Sequence, residues 1–173
     1  MDHFLKRVER RAFVTARIAT KDGEEALDIV QDAMLKLVQK YGDRPESEWG
    51  ALFNSILHSK IHDWYRRSTV RNRWRVFFGL NSDGRTDSPD ERVPQTQFPE
   101  PDHQMSSDLL GEHLNDLIAQ LPLRQQQALI LRAWEGYNIA QTAKIMKCSE
   151  GSVKTHYSRA IHVLREKLGG YDV

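Results

Sequence analysis

A single cysteine, Cys148, stands in 173 residues, which excludes an intrachain disulfide and any cysteine-rich zinc site. Long apolar runs are missing too. None approaches the roughly 18 residues of a membrane span, so no membrane insertion is expected. The first residues, "MDHFLKRVERRAF", carry too much charge for the core of a signal peptide. A reducing, cytoplasmic location is the simplest expectation. Net charge is nearly absent, at +1 from 25 basic and 24 acidic residues. That excludes an evenly basic nucleic-acid coat but leaves local patches open. Sustained alternation of apolar and polar residues is lacking, so the fold class expected is all-α. No glycine-rich phosphate loop occurs, and no cofactor or metal is expected. His58 and His62 share a helical face, but no glutamate stands between them as a zincin motif requires.

What is present is helical periodicity in two blocks. The spacing predicts a first helix over residues 3–20, with Phe4, Leu5, Val8, Ala12, Ala16 and Ala19 toward a core, broken at Asp22-Gly23. A second runs from about Glu24 to Tyr41, with Ala26, Ile29, Val30, Ala33, Leu37 and Val38 as its core face. A third starts near Ser47, a possible cap, and reaches at least Arg67. Residues 80–108 then hold four of the six prolines and seven acids against two arginines, the composition of an extended or disordered linker. Helical pattern returns near Leu109, up to Pro122, then over 123–134 and 138–146, and finally in the stretch after Cys148. The expected organisation is two small helical domains, residues 1–75 and 109–173, joined by an acidic linker over 76–108.

The last two helices fit a helix-turn-helix. The first buries Ile139, Ala140, Ala143 and Ile145, and Ser149 can cap the second. In such a motif the N-terminal part of the second helix enters the major groove. That part offers Ser149, Glu150, Ser152, Lys154, Thr155, His156 and Arg159 to phosphates and base edges. An ordinary helical hairpin with a solvated face is the alternative.

Two features of the N-terminal block stand apart. Asp28, Gln31, Asp32 and Leu35 line one stripe at i, i+3, i+4 and i+7. Alone, that stripe is read as helix solubility. From Asp63 to Arg75, five arginines interleave with Trp64, Tyr65 and Trp74, a composition suited to single-stranded nucleic acid, the alternative being aromatics that close the domain core beside solvated arginines.

Four stretches in this order resemble the extracytoplasmic-function (ECF) sigma factors of bacterial RNA polymerase. They are "LDIVQDAMLKL" (27–37), "ILHSKIHDWYRR" (56–67), "LPLRQQQALILRAWEG" (121–136) and "IAQTAKIMKCSEGSVKTHYSRAIHVLREKL" (139–168). The resemblance covers about four fifths of the chain and fails over the linker. It implies two helical domains, regions two and four, and a non-enzymatic role in promoter recognition. It gives the Asp28, Gln31, Asp32, Leu35 stripe a partner, the clamp-helix coiled coil of the largest catalytic subunit of core RNA polymerase. It implies that Ser59, Lys60, His62, Asp63, Arg66 and Arg67 lie at minus-ten contact positions. It places Lys154, Thr155 and Arg159 on the minus-thirty-five element, with Ser152, His156 and Ser158 beside them. Promoter DNA and an anti-sigma factor are the further implied partners. Where the family has Phe, Trp and Asn, this chain has Met34, Leu52 and Ser59, and the last puts the minus-ten preference in doubt. Tyr137-Asn138 stands where Ser-Tyr is more usual. A stand-alone helix-turn-helix regulator with an N-terminal sensing domain is the competing reading.

Overall fold

The structure is a computed structural model and describes residues 1–77 and 105–168. Those residues form helices joined by short turns, in the order α1 (Asp2–Thr20), α2 (Gly23–Tyr41), α3 (Glu46–Phe77), α4 (Met105–Ala119), α5 (Leu123–Leu129), α6 (Ile139–Met146) and α7 (Glu150–Leu168). Of the linker segment expected at 76–108, residues 76–77 belong to α3 and 105–108 to α4; residues 78–104 lie outside the described residues.

The corner between α1 and α2 is built from capping groups. Lys21 takes a left-handed conformation at φ 58°, and its N–H donates to the Arg17 carbonyl. Asp22 then accepts from the N–H groups of Glu24 and Glu25 at 2.9 and 3.0 Å, an N-cap that satisfies two otherwise unpaired donors. The break therefore falls at Lys21-Asp22, and Gly23 already belongs to α2.

The α3 helix begins at Glu46, one residue before the expected cap, so Ser47 lies inside its first turn. It continues past Arg67 to Phe77, giving 32 residues, about 48 Å at about 1.5 Å per residue. No glycine or proline interrupts residues 51–78, and arginine is a good helix former.

Helices α1 to α3 enclose a core around Phe53, Leu37, Leu57 and Ile61, each nearly inaccessible. Phe4 meets the rings of Trp49 and Phe53 edge-on at 5.8 and 6.3 Å, a favoured aromatic geometry. Ala16, Ala26 and Ala33 are fully buried and let the three helices approach closely. Val38, expected in this core, is 44% exposed because it lies on the outer side of α2.

The second block packs Leu117, Ile118, Leu121, Leu129, Ile130, Ala160 and Leu164 together, beside a smaller cluster of Ala128, Leu131, Ala143, Ile145, Met146 and Val153. Its α5 helix runs into a π-helical turn, Ile130–Trp134, where the Glu135 N–H donates to the Ile130 carbonyl at 3.0 Å. Gly136 follows at φ 73°, a left-handed position natural to glycine. The Tyr137-Asn138 departure has a local role. Asn138 caps α6, and Gln141 bonds back to it, at 2.8 and 2.9 Å, a reciprocal capping box. Ala140 is exposed, contrary to its expected burial, since the inner face of α6 is Thr142, Ala143, Ile145 and Met146.

The two blocks are docked. Ile18 of α1 joins the second core, and Leu123 of α5 joins the first. The Gln127 side chain donates to the His58 carbonyl at 3.2 Å. Asn54 donates to the Tyr137 hydroxyl at 3.2 Å. Arg11 donates to the Trp134 carbonyl at 2.6 Å and pairs with Glu135 at 3.6 Å.

Candidate nucleic-acid and protein interfaces

The start of α7 is set by the turn before it. Lys147 adopts φ 52°, and the Cys148 N–H donates to the Ala143 carbonyl at 3.1 Å. Ser149 Oγ then accepts from the Ser152 N–H at 3.1 Å, as an N-cap does. Arg124 ties this turn to α5, donating to the Met146 carbonyl at 3.0 Å.

That framework leaves Lys154, Thr155, Ser158 and Arg159 exposed on one face, with Ser152 and His156 half-buried beside them. The opposite face buries Val153, Ala160 and Leu164. Partial burial, with the charges of Arg124 and Arg159, lowers the pKa of His156 below its usual value. Lys154 and Arg159 supply the positive charge of this face. Ser152 Oγ sits 2.9 Å from Ser149 Oγ, so it serves the cap as well. His162 and Arg165 lie further along, and His162 Nε2 is 3.3 Å from the Glu166 carboxylate.

On α3, Asp63, Arg66 and Arg67 are exposed, while Ser59, Lys60 and His62 are half-buried. Asp63 and Arg66 form a loose pair at 3.9 Å. Glu25, Trp64, Arg67 and Arg71 line a cleft of about 250 Å³ between α2 and α3. Glu25 and Arg71 were not singled out from the sequence. Arg71 lay within the arginine run, whereas nothing in sequence placed Glu25 beside it.

On α2, Asp28, Gln31, Asp32 and Leu35 are all exposed, with Leu35 at 56%. Leu27 and Val38, each 44% exposed, extend the same surface. The face is thus acidic and apolar together, a composition that solubility alone does not require. It borders the α3 surface directly, because Lys60 Nζ lies 2.8 Å from Asp32 Oδ2.

The two histidines of "HSKIH" are in different surroundings. His58 is 2% exposed, and neither ring nitrogen has a hydrogen-bond partner among the described residues. Burial, with a smaller contribution from Arg124, pushes its pKa down to about 4. His62 lies half-buried toward the surface.

Comparison with known proteins bears on the family of the chain. Residues 112–161 match the family model "Sigma-70, region 4". The ECF RNA polymerase sigma factor SigX of Bacillus subtilis is 30% identical over 159 residues, spanning 86% of this chain and 73% of that protein. The RNA polymerase sigma-E factor of Streptomyces avermitilis is 28% identical, over 92% of this chain and 79% of its own length. In fold, the chain is similar to the sigma factor RpoE of Bartonella quintana, solved in complex with the anti-sigma factor NepR. The TM-score is 0.63 at 21% identity, covering 98% of both chains. No helix among the described residues is long and apolar enough to cross a membrane. With its region-four helix-turn-helix and its similarity to SigX over most of both proteins, the chain belongs to the ECF sigma factors of bacterial RNA polymerase.

Proposed function

We propose that this sigma factor reads promoters at two points while bound to core RNA polymerase. The observation that carries the reading is the pairing, on one chain, of a cationic α7 face with an arginine-rich α3 surface that adjoins an acidic-apolar α2 face. Residues 1–75 serve as region two and 109–173 as region four, with 76–108 connecting them. Lys154, Thr155 and Arg159 contact the minus-thirty-five duplex, with Ser152, His156 and Ser158 beside them. Ser59, Lys60, His62, Asp63, Arg66 and Arg67 engage the minus-ten element as it opens. Asp28, Gln31, Asp32 and Leu35, extended by Leu27 and Val38, dock on the clamp helices of the largest catalytic subunit.

The protein catalyses no covalent step. Binding drives strand opening: capture of each unstacked base contributes about 1–3 kcal/mol, set against an unstacking cost of a few kcal/mol. The setting is cytoplasmic, where polymerase and promoter are found. The anti-sigma partner of the Bartonella protein suggests a similar inhibitor for this chain.

A gel-shift on promoter DNA, with and without core polymerase, tests the reading. Specific binding that requires core polymerase supports it. Equally tight binding without polymerase contradicts it and favours a stand-alone helix-turn-helix regulator.

A further inference from the structure

Arg124 and Arg132 differ from the arginines of α3 and α7 in what they hold. Arg66, Arg67 and Arg159 are exposed, whereas Arg124 and Arg132 are half-buried. Both direct their guanidinium groups at backbone carbonyls of the helix-turn-helix. Arg124 Nη1 donates to the Met146 carbonyl at 3.0 Å and to Gln127 Oε1 at 3.3 Å, so both hydrogens of that nitrogen are used. Met146 closes α6. The next residue, Lys147, turns left-handed at φ 52° and leads through Cys148 to the Ser149 cap of α7. Arg132, in the π-helical turn, donates to the Tyr137 carbonyl, one residue before the Asn138 cap of α6. Its guanidinium carbon also stands 5.6 Å from the centre of the Tyr157 ring on α7, a cation–π distance. One arginine thus holds the end of α6 and the entry to α7. The other holds the start of α6 and the middle of α7.

We infer that Arg124 and Arg132 are positioning residues for upstream-element recognition: they fix the seating of α7 on α6, and so which bases Lys154, Thr155 and Arg159 can reach. The inference rests on the upstream reading proposed above. The buried face of α7 is Val153, Ala160 and Leu164. Apolar packing of that kind is not directional, so it resists a small roll or slide of the helix only weakly. Hydrogen bonds to fixed carbonyls are directional and weaken steeply off their angle. Base reading needs that precision, because a bidentate bond to a base edge has the same narrow limits. The guanidinium fork is planar and rigid, and an ammonium is a point charge, so lysine is no substitute in such a brace. Arg124 also lies near the reading face. Its charge is felt at His156, whose pKa is lowered by partial burial and then by Arg124 and Arg159.

The test uses the full chain bound to core polymerase. Duplexes carrying the upstream element are first selected from a randomised pool with the wild-type complex. Affinity is then measured for the selected duplex and for a scrambled one of equal length, at several salt concentrations. Arg124→Met and Arg132→Met should each lower the ratio of selected to scrambled affinity about tenfold, the worth of one good base contact. Affinity for the scrambled duplex and its salt slope should stay at the wild-type level, because no phosphate contact is removed. Arg124→Lys and Arg132→Lys keep the charge without the fork, so their ratios should be low as well. Circular dichroism and thermal melts establish which variants are folded, and where a methionine variant is not, the lysine variant decides. A wild-type ratio in the folded methionine variants overturns the inference. So does a wild-type ratio in the lysine variants, which assigns the effect to charge alone. A salt slope reduced by about 1, with both affinities falling together, makes these arginines phosphate contacts and overturns it too. Each of these outcomes leaves the sigma function standing. Failure of the wild-type complex to select any sequence overturns the upstream reading itself, and this inference with it.

Discussion

Lys60 Nζ donates to Asp32 Oδ2 across 2.8 Å, joining α3 to α2. One partner belongs to the surface proposed for promoter DNA and the other to the surface proposed for polymerase. The two proposed surfaces are thus contiguous on one block. Asp32 is 65% exposed on its side chain, and such pairs contribute about 0–1 kcal/mol. Lys60→Ala should hardly change the melting temperature yet impair open-complex formation, read by permanganate footprinting. A marked fall in thermal stability would mean that the pair is structural.

Asp32→Arg should separate the two binding activities. Reversing one charge on the acidic-apolar face should abolish co-purification with core polymerase. The weaker binding of an upstream-element duplex by the free protein should be unchanged, because α7 lies in the other block. Equal loss of both activities would contradict the surface assignment.

Arg159→Ala should do the opposite, weakening upstream-element recognition while polymerase binding survives. If the guanidinium reads a guanine edge, the loss should be about 1–3 kcal/mol and specificity at one base should relax. Lys154→Ala, removing a phosphate contact, should instead weaken all sequences alike and reduce the salt slope by about 1. Titrations at several salt concentrations distinguish the two.

His58 makes stability pH-dependent in a defined window. The folded ring has its pKa pushed down to about 4, against about 6.5 when unfolded. Between those values the unfolded chain binds a proton that the folded chain refuses. Stability is therefore full above about pH 6.5 and is lost as pH falls toward 4. The total is about 3 kcal/mol at about 1.4 kcal/mol per pH unit. Urea unfolding at pH 7 and pH 4 should show this loss in the wild type. In His58→Leu the loss should be smaller by that amount; an unchanged loss would place its origin elsewhere.

Asn138→Ala should cost about 1 kcal/mol, the usual worth of an N-cap, because its side chain accepts from the Gln141 N–H at 2.8 Å. Denaturant melts measure it directly.

Local features were legible in the sequence because their causes are local. The period of α7, the acidic stripe of α2 and the Ser149 cap each depend on a few neighbouring residues, and the structure places them as expected. Periodicity reveals that a face is apolar but not what covers it. Ile18 drew no attention beside the alanine stripe of α1, yet it packs on Leu117 and Ile118 across the chain. Val38 and Ala140 fit an apolar pattern but face outward, as helix orientation is decided by partners distant in sequence. The π-helical turn at Ile130–Trp134 has no composition signal, since it adds one residue to an ordinary helical run. The burial of His58 was equally hidden, because a half-polar ring in a helical run carries no sign of what packs over it.

The most direct measurement is transcription in vitro with purified core polymerase and a genomic promoter library. Added sigma factor should yield transcripts with defined start sites, and Arg159→Ala and Asp32→Arg should each suppress them. Transcription that is no different with and without the protein would contradict the account.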